Sequence, residues 1–585
     1  MILAIRYVFA SCPLRIIALI SVVLLQGLIP ALNVFMTGHI INKLHALQAS
    51  DNELILSIAL WCVSLLGIQL MQPLVNLIQG DVTEISTNHF SAKIMERMND
   101  LYSLSLFDNE ERYEQLEYLK KEAAYRPLNF IICIIYAIRA TVMAGRQAGR
   151  QAGNLLLVLI NYSGAGAAIC ALSAIPMIAI NIRIQQRYVR DLFFNSKDAI
   201  AMRYIYGVSM DKSFLQEIRL YSLGKYLINK FNESARNTYT RMHNQRIRAL
   251  VTPGPAMILS LLMLFAGISL FLSSLRYNDI AVSALVMVFQ SIVMMKSHLD
   301  EIANYGSNLI SMGSFFNRYH SFMANKIEPV KNGHLTLPAQ TPFALSIHNL
   351  RFQYEGRNNP ALNGVNFEIA PGEKVAILGD NGSGKTTLIK LILRMYALSE
   401  GTVSVSGVPL ERLNIESYRN QIATVFQDYG KYEFTVGENV TLNKYDAETP
   451  SSAIDELLEQ VGFPYGQHIR LGKQFGGDEL SMGQWQRLAI ARALYRKANL
   501  FIFDEFSSSL APETEHRLFN DILNLNTTVL AVTHRLGNIK EFDRIIVMSA
   551  GKVIENGDFS ALMSIKGKFY DMWHAQFRSV ITPTN

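Results

Sequence analysis

The chain has 585 residues, enough for two or more domains. Half of them are hydrophobic and 17% are charged, below the roughly 25% charged content of an ordinary soluble protein. The apolarity is not spread evenly, as one very large soluble core would need, and the net charge of +6 does not point to nucleic acid, because the basic residues lie mostly in loops between apolar runs.

Six runs are long and apolar enough to cross a bilayer at about 20 residues each: 14–35, 54–78, 129–144, 154–180, 256–275 and 279–295. The third is interrupted by Arg139 and the sixth is short. The first is too long for the apolar core of a cleavable signal and starts so early that no leader-peptidase domain is expected before it. The connections 80–127 and 183–248 are long and carry Lys93, Arg97, Arg112, Lys120, Lys121, Arg183, Arg187, Arg190, Arg203, Arg246 and Arg248. The other connections offer only Lys43, Arg146, Arg150 and Arg276. That asymmetry places the two long loops and both termini in the cytoplasm. Helical spacing in the loops, such as Phe214, Leu215, Ile218 and Tyr221, predicts helices extending below the membrane.

Smaller features are read more plainly. Cys12, Cys62, Cys133 and Cys170 show neither metal-ligand spacing nor a disulfide framework and are small apolar packing residues. The tandem repeat GRQAGRQAG over 145–153 is a flexible outer turn or an anion-attracting mouth. Gln26, Asn33, Gln69, Arg139, Asn161 and Gln290 fall inside spans, where polar groups hold helices together or face a cargo path.

Beyond the sixth span the character changes. The expected division is a transmembrane domain over 1–302, a polar linker over 303–342 and a soluble domain over 343–580. Short β-rich runs at 375–378, 424–426, 500–503, 529–532 and 544–548 alternate with helical patterns, which predicts a largely parallel sheet. The fold class is therefore an all-α six-helix transmembrane domain with long cytoplasmic helical extensions, followed by an α/β P-loop ATPase domain.

The run Gly379-Asp380-Asn381-Gly382-Ser383-Gly384-Lys385-Thr386, with Thr387 after it, matches GxxxxGK[ST] between an apolar strand and a helical run. Its glycines let backbone N–H groups approach phosphates, and the helix N-terminus adds its positive end. Lys385 supplies a charge to the β- and γ-phosphates, and the Thr386 hydroxyl suits Mg²⁺. Downstream, Leu500-Phe501-Ile502-Phe503-Asp504-Glu505 is a buried strand ending in two carboxylates. On its own an Asp-Glu after a strand is a solvated turn. With a P-loop upstream, Asp504 becomes a Mg²⁺ ligand and Glu505 the base that polarises an attacking water.

These residues resemble the nucleotide-binding domain of ABC transporters along the whole soluble half. Tyr354 matches the aromatic that stacks on adenine, and Gln427 the glutamine that senses Mg²⁺ and γ-phosphate. Leu480-Ser481-Met482-Gly483-Gln484, followed by Gln486-Arg487-Leu488-Ala489, is similar to the LSGGQ signature and its helix. His534 matches the switch histidine at γ-phosphate. The order of six spans and a C-terminal ATPase is similar to the exporter branch, which implies ATP and Mg²⁺ as cofactors and a bacterial plasma-membrane, multi-pass location with the ATPase domain cytoplasmic. In that family the signature of one chain completes the ATP site of another, so a chain with one such domain implies a dimer. A homodimer is expected, with a heterodimer as the alternative.

Two positions depart from the family pattern. Met482 replaces the first glycine of the signature, and Ala511 stands where an Asp usually follows Leu510. Neither touches Lys385, Asp504, Glu505 or His534, so hydrolysis is expected with altered coupling. Phe426-Gln427-Asp428-Tyr429, Tyr432 and Gly483-Gln484-Trp485-Gln486 resemble bacterial exporters of lantibiotics, which implies a modified peptide as cargo. Drug-like molecules or lipids are the alternative cargo, and an ATP-gated channel is the alternative of another class.

Overall fold

The computed structural model describes residues 2–45, 51–123, 125–146, 168–169, 172–173, 175–180, 183–184, 197–275, 282–324, 330, 332–338, 341–442, 451–504 and 512–581. The chain divides into two compact units, one of residues 1–97 and 115–325, the other of residues 98–114 and 326–585. The second unit thus includes a short piece of chain from between two apolar helices.

The described part of the first unit is helical. In chain order it contains α1 Ile2–Ser11, α2 Pro13–His45, α3 Asp51–Asp100, α4 Glu110–Glu122, α5 Arg126–Arg146, α6 Lys197–Met210, α7 Lys212–Leu220, α8 Gly224–Val251, α9 Gly254–Leu275 and α10 Val282–Ala324. At 50 residues, α3 is about 75 Å long, far more than a bilayer core of roughly 30 Å needs. The expected helical extensions beyond the apolar runs are there, in α3 and in the polar α8. The run 14–35 lies within α2, 54–78 within α3, 129–144 within α5 and 256–275 within α9. Most of 154–180, and the repeat over 145–153 beyond Arg146, lie outside the described residues.

Among the described residues, the helices Asn52–Asp100 and Gly224–Leu270 are each long and apolar enough to cross a membrane. Two bent pairs pass the same test, Leu3–Ser11 with Pro13–Gly27 and Glu110–Glu122 with Arg126–Thr141. The stretch expected as a linker from residue 303 is still helix α10 as far as Ala324, because Phe315, Phe316, Tyr319 and Phe322 keep an apolar face buried. That face packs edge-on around Phe90 of α3, with centroid distances of 5.9 Å to Phe316 and 5.2 Å to Tyr319. Two of the polar residues within spans hold helices together: Gln26 donates to Gln72 at 2.7 Å and Asn33 to Ser64 at 3.0 Å.

Among the described residues the second unit holds ten strands: β1 Leu345–Phe352, β2 Leu362–Ile369, β3 Lys374–Gly379, β4 Glu400–Val405, β5 Val408–Pro409, β6 Ile422–Val425, β7 Leu500–Asp504, β8 Thr528–Val532, β9 Arg544–Ser549 and β10 Lys552–Gly557. Six form a sheet in the order β10-β9-β3-β8-β7-β6, parallel except for β10 at the edge. The five strands expected from sequence are its five parallel members. A second sheet, antiparallel and ordered β2-β1-β4-β5, was not expected. Residues alternate across β3: Ala376 and Leu378 enter a core with the helix Met482–Tyr495, Val375 and Ile377 a core with the antiparallel sheet. Burial on both faces is what makes β3 read as a continuous apolar run.

Candidate nucleotide site

Strand register explains where the chemistry collects. Ile377 of β3 is level with Val532 of β8, and Val532 with Asp504 of β7. Phe503 is level with Val425 of β6. The loop after Gly379, the Asp504 carboxylate, Gln427 and His534 therefore all lie at the carboxyl edge of one sheet, where open α/β sheets bind ligands. Glu505 and Ala511 lie outside the described residues.

The phosphate loop is shaped by two glycines that no other residue could replace. Gly379 has φ +149°, and a Cβ there would come within 2.2 Å of the Met548 carbonyl. At Gly384, φ is +102° and a Cβ would meet the Ala361 carbonyl at 2.6 Å. Gly384 caps the helix Lys385–Ile392 without any side-chain hydrogen bond, so the first N–H groups of that helix are left for a ligand. Lys385 is buried and its Nζ donates to the carbonyls of Gly379 at 2.8 Å and Asp380 at 3.0 Å. Those carbonyl oxygens occupy the ammonium as phosphate oxygens would. The Ser383 hydroxyl is buried without a hydrogen-bond partner among the described residues, an unmet polar atom inside the cradle. Asn381 and Gly382 are exposed at the loop's tip.

A hydroxyl and a carboxylate adjoin this loop. Thr386 Oγ1 stands 3.5 Å from Oδ1 of Asp504, whose side chain is buried at the end of β7. Two oxygen donors of this kind suit a cation that keeps several waters and phosphate oxygens, as Mg²⁺ does. Among the described residues no cluster of three or more His, Cys, Asp or Glu side chains could hold a metal by itself.

Tyr354 follows β1, and its hydroxyl is 3.1 Å from that of Thr387 in the helix after the phosphate loop. Its ring is held edge-on by Phe352 at 5.0 Å and by Tyr396 at 5.3 Å. Tyr396 had no sequence signal, yet it links Tyr354 to the segment 98–114. Burial, and then the Asp108 carboxylate, push the Tyr396 hydroxyl above the ordinary tyrosine range. Around it, Leu104 N–H donates to the Met395 carbonyl at 2.8 Å, and Asn109 donates to Glu355 at 2.9 Å. Arg419 donates to the Tyr102 carbonyl at 3.1 Å. In this segment Leu106 is buried and Phe107 is 47% exposed, and the contacts run to Glu355, Met395, Tyr396 and Arg419.

The signature opens the helix Met482–Tyr495. The Ser481 hydroxyl accepts from Gln484 N–H at 3.3 Å and the Gln484 side chain accepts from Ser481 N–H at 2.8 Å, a reciprocal cap. Gln484 is thus engaged in shaping the helix start, while Ser481 keeps a hydroxyl proton to donate. Met482 is 58% exposed.

Residues 362–508 match the family model described as ABC transporter. The chain is 28% identical over 574 residues to the subtilin transport ATP-binding protein SpaT of Bacillus subtilis, covering 93% of this chain and 89% of that one. It is also 28% identical over 444 residues to the ATP-dependent lipid A-core flippase of Saccharophagus degradans, with 72% and 71% covered. In fold it is similar to the structure of a bacterial Atm1-family ABC exporter with ATP bound, at a TM-score of 0.78 and 19% identity, covering 98% of this chain and all of that one. A phosphate loop and capped signature lie on one α/β unit and apolar helices in the other; residues 362–508 match the ABC transporter family model, and the chain is an ATPase coupled to transport.

Proposed function

We propose that the chain is a half-transporter that pairs with a second copy of itself and exports a modified peptide across the bacterial plasma membrane. Six spans carry the cargo path, with the ATPase unit in the cytoplasm. The observation that carries the cargo class is that similarity to a subtilin transport protein runs over 93% of this chain, helical unit included.

In this reading Tyr354 stacks on adenine, and Lys385 with the loop from Gly379 to Thr387 holds the phosphates. Glu505 accepts a proton from the attacking water, and His534 contacts the γ-phosphate. Thr386, Asp504 and Gln427 would hold Mg²⁺, which would supply positive charge to offset that of the phosphates. Ser481 and Gly483 complete the site of the other copy. The test is uptake by inverted vesicles of a lanthionine-containing peptide, compared with a fluorescent phospholipid and a cationic dye. ATP-dependent uptake of the phospholipid alone favours the second reading, a lipid flippase, for which the lipid A-core flippase relative is the support.

A further inference from the structure

Arg139 puts a guanidinium into the apolar helix α5, among the buried side chains of Ile131, Cys133, Ile135 and Ala140. A charge in such a run is expensive and is kept where it does something. Its Nη2 donates to both oxygens of Glu301 of α10, at 3.1 Å each. That is one nitrogen shared between two oxygens, not the two-nitrogen fork that guanidinium and carboxylate form when they fit each other. Arg139 Nε is buried and has no hydrogen-bond partner among the described residues. His298 Nδ1, one turn before Glu301, is buried and lies 3.7 Å from Glu301 Oε2. The guanidinium rests over the Tyr136 ring at 4.7 Å, and Tyr305 stacks on Tyr136 at 5.2 Å.

A pair kept only to tie two helices would leave no donor unmet, because each unmet buried donor costs stability. Here Arg139 Nε remains unmet beside the carboxylate. The side chains of Arg139 and Glu301 keep 18% and 30% of their surface accessible. We propose that Arg139 is a binding site for a carboxylate group of the cargo, with Glu301 as the internal counter-ion that the cargo displaces. The incoming carboxylate accepts from Nε and Nη2 together, and the Tyr136–Tyr305 pair walls one side. Glu301, once displaced, turns to His298. The assignment of cargo class rests on the export reading above, but the site itself is testable without ATP.

The experiment uses the full chain in phosphatidylcholine nanodiscs without nucleotide, with N-acetyl-leucyl-leucine as free acid and as amide, and binding read by calorimetry and by thermal stability. In Glu301→Gln the acid should bind about tenfold more tightly than the amide, the size of a charged hydrogen bond, and the wild type should show the same preference more weakly. Arg139→Gln leaves Glu301 uncompensated and could unfold, so the neutral double variant Arg139→Gln/Glu301→Gln serves beside it and should bind acid and amide alike. Equal binding of acid and amide by Glu301→Gln overturns the site and leaves the pair a static tie. If adding phosphatidic acid to the nanodiscs stabilises Glu301→Gln and the peptide acid does not, the group is a lipid phosphate and the carboxylate assignment is overturned. Failure of vesicle uptake with the acid preference intact would strike the export reading alone.

Discussion

The Tyr354 ring meets the Tyr396 ring at right angles with centroids 5.3 Å apart, and on its other side Tyr396 faces Asp108 of the segment that leads out of α3. The proposed adenine platform and the segment 98–114 of the same unit therefore share one aromatic support. An edge-on pair contributes about 0.5–1.5 kcal/mol beyond its burial. Tyr396→Ala should weaken binding of a fluorescent ATP analogue by roughly two- to tenfold. Tyr396→Phe keeps the ring and should bind normally, while protease cleavage near residue 108 speeds up. An unchanged Kd in Tyr396→Ala would mean that Tyr354 holds its place without this neighbour.

Arg419 also ties this segment to the rest of its unit. It donates to the carbonyls of Leu393 at 3.1 Å, Arg394 at 3.0 Å and Tyr102 at 3.1 Å, and burial holds its pKa below the ordinary arginine range. Arg419→Ala would leave these acceptors unmet, and each buried unmet group costs about 1–3 kcal/mol. Differential scanning calorimetry should record a lower Tm for the ATPase unit, with Arg419→Lys intermediate because an ammonium cannot span three acceptors in one plane.

Much of this site was legible in the sequence because it rests on local pattern. GxxxxGK[ST] after a continuous apolar run forces the strand–loop–helix around Lys385, and Leu500–Asp504 is apolar on both faces because β7 lies inside the sheet. The antiparallel sheet was not legible. β1 reads Leu-Ser-Ile-His-Asn-Leu-Arg-Phe, and its register with β2 shifts between Ile347 and Leu350, so simple alternation fails midway. Tyr396 and Arg419 were missed for another reason: their partners Asp108 and Tyr102 lie far away in the chain, and nothing in either segment announces the other. The helix over 303–324 was not legible because its polar residues hide a buried stripe of Phe315, Phe316, Tyr319 and Phe322.

Hydrolysis should depend on the residues gathered at the carboxyl edge of the sheet. Lys385→Ala should abolish nucleotide binding, since no other cation is buried within the phosphate loop. Glu505→Gln should bind ATP normally but turn over roughly 10²–10⁴-fold more slowly, and accumulate as a closed dimer by size-exclusion chromatography. Asp504→Asn should raise the Mg²⁺ concentration needed for half-maximal activity. Normal turnover by Glu505→Gln would assign the proton to another group.

Helix α7 presents Phe214, Leu220 and Tyr221 to solvent within this chain, and Asp211 caps it by accepting from Ser213 N–H at 2.9 Å. A preformed amphipathic helix with no buried side chain is suited to docking on a second copy. In a chain stripped of its own cysteines, Phe214→Cys and Asp428→Cys should cross-link into a dimer on denaturing gels when the two variants are mixed. Intrachain product alone would exclude an exchanged arrangement of the two copies.

Met482 is held from two sides. Its carbonyl accepts from the Tyr429 hydroxyl at 3.0 Å, and its sulfur lies 3.4 Å from Lys431 Nζ. Both contacts come from the segment just after Gln427, so in this chain that segment and the signature are fastened together at the position where the family has a glycine. A glycine there lets backbone approach a phosphate closely. Methionine adds a flexible side chain that must lie along the interface, and its adaptability limits the obstruction to about 1 kcal/mol, several-fold in rate. Met482→Gly should therefore raise basal ATPase activity several-fold, with Ser481 and Gln484 still capping the helix. Tyr429→Phe releases the carbonyl and leaves the thioether in place, so it should change activity less than Met482→Gly if the side chain is the obstruction. A slower Met482→Gly enzyme, matched by an equally slow Tyr429→Phe, would instead make the fastening itself the useful feature, with Lys431 and Tyr429 carrying the signature into position as the site closes.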